Sequence, residues 1–157
     1  MNRTSGYRIG VPEAVDGVGW ERQSIDGAAL SFRLAEPPRD GGATIVSMLA
    51  ACRDIAVAPQ IQARNLRIGV GRTRTFFSGP TAHLGHLGWA QAFEAELRGQ
   101  TVVVEAVTLV VGLCTYDWIL VTPRESKALA RAFQGWWTGF RPGPPETPAV
   151  GADGAGG

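Results

Sequence analysis

The 157-residue chain has the size of one ordinary domain, long enough to bury about two thirds of its unfolded surface without a disulfide or a metal. Fifteen Lys and Arg face fourteen Asp and Glu, for a formal net charge of +1 without runs of like charge, which argues against the clustered basic stripe of a nucleic-acid binder. The start, "MNRTSGYRIGVPEAVDG", lacks an apolar h-region, and no window reaches the ~18 to 20 apolar residues of a membrane span. As the sequence stands it reads as soluble and cytoplasmic; a periplasmic or lipoprotein-like location would need a start further upstream. "SMLAAC", Ser47 to Cys52, imitates a lipoprotein cleavage box, but the apolar run before it is short and follows "PPRDGG" instead of a basic segment.

In chain order, residues 1–16 read as an irregular arm, 17–140 as a single α+β domain, and 141–157 as a disordered tail rich in Gly, Pro and Ala. "GVGWERQS" suits a strand carrying Trp20. After the turn signal Asp26-Gly27 a second strand is predicted with Ala28, Leu30, Phe32 and Leu34 on one face and Ser31 and Arg33 on the other. "EPPRDGG" is a loop, because its prolines and glycines cannot sustain a ladder. "ATIVSMLAAC" is apolar on both faces and predicts a strand covered on both sides. Pro59 then offers the first position of a helix that turns Ile61, Leu66 and Ile68 toward the core. Thr73 to Gly88 has an aromatic pair, a Gly-Pro break and two histidines, and reads as a short strand followed by a loop.

The second half is more regular. Strands are predicted from Trp89 to Leu97, Thr101 to Val111 and Cys114 to Thr122, separated by turns at Arg98-Gly99-Gln100 and Gly112-Leu113. In the first, Trp89, Gln91, Phe93, Ala95 and Leu97 share a face opposite Glu94 and Glu96; the second is apolar on both faces and should be central. "ESKALARAFQGWWTGF" closes the domain as an amphipathic helix with Leu129, Ala132, Phe133, Trp136 and Phe140 at helical spacing. The expectation is an α+β domain with a mainly antiparallel sheet, one internal helix and a C-terminal helix packed on it.

Few groups suggest chemistry. His83 and His86 are three apart, which suits two metal ligands only on a helix, and the neighbouring glycines argue against one; no metal and no cofactor are expected. Glu94 and Glu96 lie two apart on one strand face, as on many solvated faces. Nucleophile and phosphate-loop motifs are missing, so no catalytic residue is assigned. "RNLRIGVGRTR", Arg64 to Arg74, holds four arginines; a solvated face is the ordinary reading and a phosphate or acidic-partner site the sharper one. Trp136 and Trp137 point about 100° apart on a helix, so one of them, Trp137, is expected to be partly exposed. With Phe76 and Phe77 it forms the candidate partner-binding set.

The stretches "GWERQSIDGAALSFRL", "GATIVSMLAAC", "CTYDWILVTP" and "FQGWWTGF", in this order from Trp20 to Phe140, resemble the PsbP-like fold. That fold is shared by the PsbP subunit of photosystem II, the DcrB-like proteins and small bacterial lipoproteins; the Cys-x-Tyr-Asp strand is similar to uncharacterised proteins of delta-proteobacterial type. Because the residues are spent on core and no constellation of activated groups can be assembled, the chain reads as a non-catalytic binding or accessory module with a protein partner of unknown identity. The resemblance implies, as the alternative, an adaptor or chaperone of a bacterial secretion or envelope system. Cys52 closes one predicted strand and Cys114 opens another. Three readings stay open for them: buried small hydrophobes, a disulfide as in an exporting relative, or a reactive pair serving a thiol- or metal-dependent enzyme.

Overall fold

A computed structural model describes residues 6–36, 42–67, 70, 71, 73–124 and 126–143. In chain order the elements are β1 (Tyr7–Arg8), β2 (Trp20–Arg22), β3 (Leu30–Leu34), β4 (Ile45–Cys52), α1 (Pro59–Asn65), β5 (Thr73–His83), β6 (His86–Leu97), β7 (Gln100–Val111), β8 (Cys114–Thr122), α2 (Lys127–Thr138) and β9 (Arg141–Pro142). Strands β2 to β8 form one antiparallel sheet in the order β2-β3-β4-β8-β7-β6-β5. The expected α+β architecture with two helices holds, and α1 and α2 take opposite faces of the sheet.

The face under α2 is the main core. Alternation places Phe32 and Leu34 of β3, Val46 and Met48 of β4, Val107 and Leu109 of β7, and Tyr116, Trp118 and Leu120 of β8 on one side, where they meet Leu129, Ala132, Phe133 and Trp136 of α2. The helix starts where Ser126 accepts a hydrogen bond from the Leu129 amide at 3.1 Å, satisfying one of its orphan donors. Phe140, just past its end, is fully buried against Tyr116 and Trp118, with ring centroids 4.7 and 4.8 Å away.

Several expectations shift. Trp137 is buried, only 9% exposed, because its ring meets His83 at the near end of β5 while Trp136 faces Phe32; the two indoles diverge, yet both directions lead to protein. The arm and the tail are not wholly irregular: Tyr7–Arg8 pairs with Arg141–Pro142, and the Trp136 indole donates to the Gly10 carbonyl at 2.8 Å. Strand pairing therefore begins before residue 16 and continues past 140, while residues 144–157 lie outside the described residues. In β4, Val46 and Met48 are buried under α2 but Ala50 to Cys52 emerge into solvent, so only its first half is covered. In α1 the buried residues are Gln62 and Ala63, and Ile61 is 55% exposed; Ile68 lies outside the described residues.

Between Thr73 and Gly88 the chain is a long hairpin instead of a strand and loop. Its turn, Leu84-Gly85, has both residues at positive φ, 52° and 80°, the conformation whose twist matches the flanking strands. Pro80 interrupts no ladder, since β5 is the last strand and can leave that side unpaired. At Gly88 the β6 and β7 backbones approach so closely that a Cβ would sit 2.4 Å from the Thr108 carbonyl oxygen and 2.7 Å from Leu109 Cδ2. Gly88→Ala is therefore expected to cost about 1–3 kcal/mol in chemical denaturation, the usual penalty of overpacking; an unchanged midpoint would show that the strands yield freely there.

Candidate functional site

The face under α1 is built differently. Period-2 alternation brings Gln91 of β6, Thr108 of β7 and Asp117 of β8 to the same side, and all three are buried. Asp117 accepts from Thr108 Oγ1 at 2.5 Å and from Gln62 Nε2 of α1 at 3.2 Å. Burial pushes the Asp117 carboxyl above the usual carboxylate range; the bonds from Thr108 and Gln62 and the charge of Arg53 pull the other way without overcoming it. Gln62 Oε1 is buried with no hydrogen-bond partner, so the cluster lacks one donor when Asp117 is ionised. A protonated Asp117 could donate to Gln62 Oε1 once that amide is turned over, which keeps one Asp117–Gln62 bond in either protonation state, so it is burial that favours the neutral acid here.

Next to it, Arg67 is fixed by three contacts. Its Nε donates to Gln91 Oε1 at 2.8 Å, its Nη1 to Thr75 Oγ1 at 2.8 Å, and its guanidinium lies 4.4 Å from the Phe93 ring centroid. Gln91 is held in turn by donating to the Ala63 carbonyl at 2.8 Å. These side chains border a pocket of about 110 Å³ lined by Gln60, Arg64, Arg67, Ser78, Trp89 and Gln91. Across it the Trp89 indole donates to Ser78 Oγ at 2.9 Å.

A second feature is the outer edge of β5. Among the described residues no strand pairs with it, and a register shift between Thr75 and Phe77 places an extra residue, Phe76, in the strand. Phe76 and Phe77 are 46% and 54% exposed, and Arg74 covers one face of the Phe76 ring at 5.4 Å. The other end of the sheet, β2, is only three residues long.

The structure thus separates the candidates of the sequence. Phe76 and Phe77 sit together on the open edge strand, whereas Trp137 is a buried residue of α2 packed on His83 and cannot join them. Cys52 and Cys114 are direct partners in the β4–β8 register, with Cα atoms 4.0 Å apart and the sulfurs bonded at 2.04 Å. His83 and His86 close the β5–β6 turn; His83 Nε2 lies 3.0 Å from the Phe140 carbonyl, and no cluster of metal-ligating side chains occurs among the described residues. Sequence reasoning missed the polar cluster. Its signal was an Asp inside the apolar run "TYDWIL", facing Thr and Gln positions on the next two strands.

No helix among the described residues is long and apolar enough to cross a membrane. No protein-family model and no curated protein matches the sequence. Solved structures do match. The cyanobacterial PsbP, CyanoP, of Synechocystis aligns with a TM-score of 0.61 at 12% identity, over 90% of this chain and 89% of that one. LpqN, involved in cell envelope biogenesis of Mycobacterium tuberculosis, aligns with a TM-score of 0.53 at 10% identity, over 76% and 72%. A Pseudomonas aeruginosa protein of unknown function aligns with a TM-score of 0.50 at 14% identity, over 91% and 87%. Identities this low speak to architecture only, and with the strand order above they show that the chain has the PsbP-like α+β fold.

Proposed function

We propose that the chain is a non-catalytic binding module that docks an extended segment of a protein partner along the outer edge of β5, beside Phe76 and Phe77. The observation that carries this reading is the combination of an eleven-residue terminal strand with two adjacent exposed aromatic residues. An open edge offers unpaired backbone groups to an added strand, and exposed aromatics supply the apolar contact that gives such pairing its strength. Pro80 has no amide hydrogen to offer and Gly79 no side chain, so docking is confined to the part of β5 before them. Phe76→Ser combined with Phe77→Ser is expected to keep stability within about 1 kcal/mol, as for most exposed sites, and to remove the partner that co-purifies with the native protein from its host. A partner retained at wild-type levels by the double variant would contradict the reading.

A place in an envelope or secretion system, as an adaptor or chaperone, is favoured by one further observation. The Cys52–Cys114 bond lies at a solvent-facing end of the sheet, and such cystines persist in oxidising compartments. This supports an extracytoplasmic location over the cytoplasmic one expected from the sequence. The envelope role in LpqN's own description is compatible with it. A thiol-dependent reaction would first require that bond to be reduced.

A further inference from the structure

We infer that the pocket between α1 and the β5–β6 hairpin is a binding site for a small oxyanion, a carboxylate or a phosphate. Its donors line one pocket, and the Ser78 and Gln91 oxygens there are already engaged. Arg67 is oriented by Gln91 and Thr75 through Nε and Nη1, which leaves Nη2 without a protein acceptor among the described residues. Arg64, one turn earlier, lines the same pocket, and no described carboxylate pairs with either guanidinium. Ser78 accepts the Trp89 indole proton, so its own hydroxyl proton is free to turn toward a ligand. Gln91 cannot compete for the donors, because its oxygen is taken by Arg67 and its amide donates to Ala63.

Charge and size then select the ligand. No acidic side chain lines the pocket, whose polar groups are two guanidinium ions, a hydroxyl and the Gln60 and Gln91 amides. The planar fork of arginine matches the oxygens of carboxylates and phosphates, and Arg67 has already lost the freedom that binding would otherwise cost. The volume of about 110 Å³ is several times what one water occupies by the same measure, roughly 10–15 Å³, so an anion with a short carbon body fits. Trp89 supplies an apolar wall for that body. Ser78 and Phe77 alternate along β5 and point to opposite faces, so the pocket and the exposed Phe77 ring lie on different sides of the strand.

The test is an NMR titration of the full chain, following the Trp89 indole proton, with inorganic phosphate in one arm and succinate in the other. A saturable shift of Trp89, with the Trp20 and Trp136 indoles unmoved, is expected in at least one arm, and the arm that responds names the anion. Arg64→Gln is expected to weaken it about tenfold or more, the loss of one charge-assisted hydrogen bond, and Arg64→Lys to restore part of the affinity. Arg64 is exposed, so an unchanged thermal melt confirms that these variants fold. Absence of a saturable shift in both arms, or the same shift in Arg64→Gln as in wild type, overturns the assignment.

Discussion

Asp117→Ala is expected to destabilise the protein severely, while Asp117→Asn is tolerated. Truncation leaves the Thr108 hydroxyl and the Gln62 amide buried without their acceptor, at roughly 1–3 kcal/mol for each group left unpaired. Asparagine keeps an oxygen for Thr108 and, with the Gln62 amide turned over, an amide hydrogen for Gln62 Oε1, so both neighbours keep a partner at position 117. The pH dependence follows from the direction of the shift. Burial raises the folded-state pKa of Asp117 above its unfolded value of 3.8, so the folded state holds this proton more tightly than the unfolded state. The contribution is therefore fully present below the unfolded pKa, is lost as pH rises through the folded pKa, and is level above it. Relative to Asp117→Asn, the wild type should lose stability with rising pH across that window in urea denaturation. Parallel profiles for the two proteins would show that the carboxyl is not perturbed.

Removal of the cystine has an effect of comparable size. The bond closes a loop of 62 residues, for which chain-entropy reasoning gives about 4 kcal/mol. Cys52→Ala with Cys114→Ala, or reduction of the native protein, should then lower the melting temperature on the order of 10–15 °C for a chain of this length. The β4–β8 ladder already holds these strands together in the folded state, so the loss falls on the unfolded chain, and the reduced protein keeps its sheet. Two thiols open to alkylation in protein purified without reductant would contradict the pairing and return both the cytoplasmic and the thiol-reaction readings to consideration.

Legibility of the sequence followed the regularity of the surfaces. The β6–β7–β8 meander was plain because each strand lies on a sheet whose faces are consistent along its length: Phe93 and Ala95 alternate with Glu94 and Glu96, and β7 is buried on both sides over its second half. The α2 face was plain for the same reason, with one exception at Trp137, whose burial depends on how far the β5–β6 hairpin reaches and not on the helix itself. Helix α1 was misread because apolar periodicity assumes an apolar partner. The strands beneath it present Gln91, Thr108 and Asp117, so it turns Gln62 inward and leaves Ile61 in solvent. The hairpin was misread because its signals were displaced. Leu84 occupies a left-handed position where Asn or Asp is usual, and Pro80 breaks a strand only if it has neighbours on both sides.

That last feature decided the candidate site. Phe76 and Phe77 were visible as an exposed pair, but the edge that gives them meaning depends on the strand order, which no local pattern contains. The anion pocket was legible only as a cluster of arginines; its selectivity comes from Gln91, Ser78 and Trp89, two of them on β6, placed by register.

Site-directed photo-crosslinking in the native host tests the central claim most directly. A photoreactive residue at position 77 is to be compared with the same residue at position 131, on the exposed side of α2. The account predicts a discrete crosslinked protein from position 77 that is missing from position 131 and competed away by an extended peptide from the captured partner. No adduct from position 77, or the same adduct from both positions, would contradict docking at the β5 edge.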